Sequence, residues 1–243
     1  MTTPIYEFPR GWYQFSSRKY PLQSVSQVSP SMPLLGIKRV ARGAAQIWTC
    51  EFTMTQQQDP DRQQIEAFFH RLDGQAGLLR MGDPSRLDFW YNRSLIGTRR
   101  TFTDGTSFTD GTGFADGLMP PTAYVAAVAS KGDSFIEFGG LLASTAQALT
   151  RGDVFEIAPN GIRALFPHFY EIMHGNDTDA NGCAGVEIRP RLRQGIAVGD
   201  QVIFSYACSV FRMIDDSQAV IEVTPPVVGN LGFSLVEALD QVP

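Results

Sequence analysis

The side chains with the most chemistry at close spacing run from His168 to Arg193. His168, Glu171 and His174 stand three residues apart. A helical zinc pair needs its glutamate directly after the first histidine, which is not the case here. On a strand, His168 and His174 share a face and Glu171 points the other way. Two ligands do not close a zinc site, so these read as ordinary polar strand positions. Asp177, Asp179, Asn181 and Gly182 open like a calcium loop. The bidentate glutamate that such a loop requires would fall on Ile188, and Glu187 comes one place early. Asn181-Gly182 between two strand-like runs is then a hairpin turn. Arg189, Arg191 and Arg193 alternate along an extended segment and give it one basic face. Guanidinium forks suit phosphates, but a net charge of −5 favours a salt-bridged interface with an acidic neighbouring subunit.

A second acidic series follows three phenylalanines at six-residue spacing: Phe102, Phe108 and Phe114, with Asp104, Asp110 and Asp116 each before a glycine. Asp-Gly is first of all a turn signal, so a loop pinned by three rings is preferred over a calcium site. Nucleophilic catalysis finds no footing. There is no nucleophile elbow, no local Cys–His pair and no glycine-rich phosphate loop. Asp215 and Asp216 are adjacent, hence on opposite strand faces or in a turn. The expectation is a protein without catalytic residues, metal ligands or cofactors.

Composition narrows the class. The chain has 243 residues, 43% of them apolar, enough for one large all-β domain or two smaller ones. Its 23 glycines and 15 prolines are scattered, as many short strands and tight turns require. The acidic balance argues against a sequence-specific nucleic-acid binder that relies on a broad basic surface. No apolar run approaches the roughly 20 residues of a membrane span. The start, MTTPIYEFPRGW, lacks the apolar stretch of a signal peptide. Cys50, Cys183 and Cys208 are odd in number and far apart, which reads as reduced thiols of a protein made in a cytoplasm.

One segment organises the elements that hold these residues. Asp59 is placed as an N-cap and Pro60 at the first helical position. Ile65, Phe68, Phe69 and Leu72 then share one helical face, leaving Arg62, Gln63, Glu66 and Arg71 outside. Gly74 fits a left-handed C-terminal position. This helix is expected on a sheet, with Phe68 and Leu72 against a strand whose core face is Trp48, Cys50, Phe52 and Met54. Upstream, 5–15 reads as an aromatic strand pair or arm, 16–33 as loop or short edge strands, and 36–55 as a hairpin. From 123 to 206 short strands alternate with turns, with a short helix expected over 141–149. After 206 long strands return. The reading is a mainly β chain. A discontinuous β-sandwich hub with one amphipathic helix, 1–118 and 207–243, carries an inserted small β-barrel or sandwich, 119–206.

A strand bearing Trp48, then IEAFFHRLDGQAGLLRMGDP, resembles the hub of distal tail proteins of long-tailed bacteriophages. RGDVFEI, YEI, DANGCAGVEIRPRLR, GDQVIF, VFRMIDD and LGFSLVEAL follow in the matching order and extend the resemblance over nearly the whole chain. The threefold Phe-x-Asp-Gly repeat, with Arg99-Arg100 before it, departs from it. The resemblance implies a structural virion protein without catalysis, made in the host bacterial cytoplasm. It implies a six-membered ring joining the tail tube protein to the tail hub or tip at the baseplate. Tape-measure protein, fibres and receptor-binding proteins are the further partners it implies. Candidate joint residues are Tyr6, Phe8 and Trp12, with Arg189, Arg191 and Arg193 facing a subunit or partner.

Two other classes compete. A carbohydrate-binding β module of a phage or bacterial protein would use Trp90 and Tyr91 as a sugar platform. A hydrolase with dispersed carboxylates would need an acid and a base brought together by the fold.

Overall fold

The computed structural model describes residues 4–9, 12, 15–28, 40–54, 61–86, 123–141, 143–159, 167–204, 206–216, 221–224 and 228–239. The chain is mainly β, with one α-helix among the described residues, a mixed sheet and a closed six-stranded barrel. The fold class read from the sequence is therefore the one observed. Two compact units divide the chain: 1–81 with 210–241, and 82–209. The first is discontinuous. The expected junction at 118/119 and the Phe-x-Asp-Gly repeat lie outside the described residues.

The first unit holds strands β1 (Ile5–Glu7), β2 (Phe15–Lys19), β3 (Leu22–Val28) and β4 (Val40–Met54). Helix α1 (Asp61–Leu72) follows, then β5 (Leu78–Gly82). After the second unit come β12 (Cys208–Met213), β13 (Ile221–Thr224) and β14 (Val228–Glu237). The sheet runs β1-β5-β12-β14-β4-β2, with β13 on β14 and β3 on β4. β1 joins β5 in parallel. Strand alternation decides what is buried. Trp48, Cys50, Phe52 and Met54 of β4 are at most 2% exposed, while Glu51 and Thr53 face outward.

The helix lays Ile65, Phe69 and Leu72 inward. Phe69 meets Phe233 of β14 at 5.0 Å between ring centres, and Phe233 meets Phe52 at 5.3 Å. Burial of each such side chain contributes about 1.5–3 kcal/mol. Phe68, expected in the core, is half-buried and packs edge-on against Phe8 and Trp12 instead. The expected cap residues Asp59 and Pro60 lie outside the described residues. At the other end both Asp73 and Gly74 are left-handed, at φ 58° and 60°. The turn that follows is tied down by Asp216, whose Oδ1 accepts the Gln75 N–H at 2.7 Å.

Two expectations fail here for a local reason. Residues 40–54 are one strand rather than a hairpin over 36–55, because β3 pairs with β4 across a register shift between Ser24 and Ser26. The stretch 141–149 is a set of turns rather than a short helix. Ser144 and Gln147 are left-handed there, and segment 177–179 takes up the free backbone groups. Asp177 Oδ1 accepts the Gln147 N–H, and Thr178 Oγ1 accepts that of Thr145.

The second unit is a barrel of β6 (Tyr124–Val125), β7 (Phe135–Gly139), β8 (Val154–Ala158), β9 (Tyr170–His174), β10 (Ala184–Arg189) and β11 (Gln201–Ile203). Its strand order is β10-β7-β6-β11-β8-β9, closed on itself. Phe138, Phe155, Tyr170 and Phe204 fill the interior; Phe138 and Phe155 meet edge-on at 5.0 Å. Three turns are built alike. In each, a glycine at positive φ (Gly132, Gly152, Gly199) precedes an aspartate. Asp133, Asp153 and Asp200 each accept the N–H three residues back, at 2.7, 2.7 and 2.8 Å. The Gly-Asp pairs legible in the sequence are thus side-chain-capped turns.

Candidate interaction surface

The chemistry-bearing residues of the sequence do not converge. His168 lies just before β9, 5% exposed, beside the Tyr170 ring. His174, at the far end of β9, is exposed. Burial, with the Arg193 and Lys131 charges, pushes the His168 imidazole down to about 4, which leaves it neutral at neutral pH. Glu171 turns to Arg86 instead, at 3.1 Å; the same guanidinium reaches Asp83 at 3.1 Å and the Gly152 carbonyl at 3.3 Å. That network pins a turn to a strand.

The acidic loop is likewise committed to turns. Asp179 Oδ1 accepts the Asn181 and Cys183 N–H groups, both at 2.8 Å. The Cys183 N–H, aided by Asn181 and Gly182, holds the Asp179 carboxyl below its ordinary value. Burial, with Asp179 and Glu137 nearby, pushes the Cys183 thiol up, the wrong direction for a nucleophile. Among the described residues no three acidic, histidine or cysteine side chains gather as a metal would need. Asp104, Asp110 and Asp116 lie outside the described residues, as do Trp90 and Tyr91.

The three arginines keep their alternation, with Pro190 and Leu192 buried between them, although strand pairing ends at Arg189. They do not form one free basic face. Arg189 is paired with Glu187 at 3.0 Å, Arg193 is half-buried, and Arg191 is exposed. Nearer the N-terminus, Tyr6 and Trp12 are half-buried, and the Arg71 guanidinium lies 5.1 Å over the Tyr6 ring. Phe8, expected at a subunit joint, is instead fully buried among Phe15, Phe68 and Phe233. An isolated aromatic-rich segment next to a sheet with room for its rings is drawn into the core.

What the first unit does offer, among the described residues, is strands that run on beyond their sheet neighbours. β14 pairs with β4 only over Thr49–Thr53, while β3 follows β4 back to Val40. Residues 40–46 and β3 therefore extend past the sheet as a two-stranded ribbon among the described residues. β14 does the same in the other direction. Gly232 stands opposite Thr53, so Val228–Leu231 run past the end of β4 and, among the described residues, pair with β13. Since β4 and β14 are antiparallel, the two ribbons leave opposite ends of one sheet.

These features define a two-unit β protein with strand edges as its most evident offering. No protein-family model matches the chain, and no curated protein matches it. Among the described residues no helix is long and apolar enough to cross a membrane.

Proposed function

We propose that this chain is a structural ring protein of the bacteriophage tail tip, a distal tail protein. In this reading a six-membered ring joins tail tube to tail hub and carries fibres or receptor-binding proteins, and the protein performs no catalysis. The observation that carries the proposal is the pair of ribbons at opposite ends of the first unit's sheet. A two-stranded ribbon is marginal in water by itself, and its free edge invites a further strand. Two such ribbons leaving opposite ends of one sheet suit a head-to-tail contact, repeated identically, which closes into a ring when its rotation divides a full turn. The ordered resemblance from the Trp48 strand to LGFSLVEAL supports the same reading.

The test is assembly. The purified chain, alone and mixed with tail tube and hub proteins, is weighed in solution and imaged by electron microscopy. Closed rings are expected, with each joint burying at least about 1,000 Å² in total. A strict monomer in every mixture would sink the proposal and favour the carbohydrate-binding alternative.

A further inference from the structure

Large hydrophobic side chains are not exposed evenly. Among the described residues they are Tyr124, Val128, Phe135, Val198 and Ile214, and all but Ile214 belong to the barrel unit. Segment 123–129 ties the four together. It is bonded to β7 on one side, through Ala126 N–H to the Glu137 carbonyl, and to 196–202 on the other, through Gly199 N–H to the Val125 carbonyl. A groove of about 380 Å³ lies along it, lined by Val128, Asp133, Phe135 and Glu137 among others.

Two glycines shape this face. A Cβ on Gly139 would stand 2.8 Å from the Tyr124 ring, and one on Gly185 would collide with the Phe135 ring. Only glycine lets both rings lie down on the sheet, and Phe135 stays 58% exposed in that position. Glu137 sits between them. It is exposed, opposite Gly185 in register and two residues from Phe135 on the same outer face. No side chain pairs with its carboxylate among the described residues. Asp133, the other carboxylate of the groove, is taken up by the Ser130 N–H.

We propose that this face of the barrel docks an extended segment of a partner protein that presents an arginine or lysine flanked by apolar side chains. A cation over an exposed aromatic ring is attracted by the ring's quadrupole, and here the same cation also meets a carboxylate. The flanking apolar residues cover Val128 and Tyr124, which otherwise remain in water. A neutral sugar would use the rings and leave the charge unanswered. The inference stands apart from the ring reading, since it concerns the barrel unit alone.

The experiment uses the full chain and short synthetic peptides carrying one arginine between leucines, with citrulline replacing arginine as control. Binding is read from amide NMR shifts of Glu137, Gly139 and Gly185. The arginine peptide is expected to shift these amides, and the citrulline peptide to bind about fivefold to tenfold more weakly. Added salt narrows that difference, and Glu137→Gln abolishes it without unfolding the barrel. Phe135→Ala weakens both peptides. Absence of shifts at millimolar peptide, equal binding of the two peptides, or chitohexaose shifting the same amides undiminished in Glu137→Gln would each overturn the proposal.

Discussion

The buried carboxylate of Glu156 accepts two hydrogen bonds from one residue, Cys208: from its backbone N–H at 2.8 Å and from its thiol at 3.0 Å. Glu156 is 0% exposed, and its strand neighbours Phe155 and Ile157 belong to the barrel core while it points away from it. A carboxylate so placed is costly unless satisfied. Cys208 belongs to the same compact unit, which runs to residue 209. Removing the carboxylate in Glu156→Ala should destabilise by about 2–4 kcal/mol, since it orphans a buried N–H and leaves a void. Cys208→Ser, which keeps a donor, should cost about 1 kcal/mol or less. Urea denaturation of both variants decides; equal costs would mean that the hydrogen bonds contribute little.

Acid should loosen the barrel through His168. Its imidazole titrates near 4 in the folded chain against 6.5 for the free side chain. Between those values the unfolded chain binds a proton that the folded chain does not. Stability therefore falls as pH drops through that window and is unaffected by this group above it, by about 3 kcal/mol over the whole span. His168→Phe should flatten the dependence between pH 6.5 and 4 in thermal melts. An unchanged slope would assign it to other groups.

The helix offers a paired test. Phe69→Ala should cost about 3–5 kcal/mol, because the ring is 5% exposed and sits on Phe233. Phe68→Ala should cost about 1–3 kcal/mol, since half-burial against Phe8 and Trp12 loses less. Unfolding followed by tryptophan fluorescence measures both, and the reverse order would contradict the packing described.

On the proposed ring reading, assembly can be separated from folding by a single proline. Ser26 stands opposite Arg42 in the β3–β4 ribbon. Ser26→Pro places a residue of fixed φ and no N–H in that ribbon, away from the sheet around Phe52 and Phe233. Helix and sheet signals by circular dichroism should persist, and ring yield with tube and hub proteins should drop. Normal rings from this variant would exclude the ribbon from the joint.

The turn device predicts a small, uniform cost. Asp200→Ala frees the Ala197 N–H and should lower stability by about 1–2 kcal/mol. A loss much larger than this in denaturation curves would give Asp200 a role beyond its turn.

Sequence by itself determined whatever depends on local periodicity. Two-residue alternation placed Trp48, Cys50, Phe52 and Met54 inside, and helical spacing placed Ile65, Phe69 and Leu72 on one face. Gly-Asp pairs announced the barrel turns, because φ and a side-chain cap are properties of a few adjacent residues. Only the tertiary structure decided matters that join distant positions. It drew Phe8 into a ring cluster with Phe233, since burial depends on which surfaces lie nearby rather than on hydrophobicity alone. It turned 141–149 into loops, because residues 177–179 satisfied backbone groups that a helix would have satisfied internally. It exposed Phe135 over Gly185 of β10, on the same outer face as Glu137, where a Cβ on that glycine would collide with the ring. Alternation along one strand carries no information about a glycine on its neighbour.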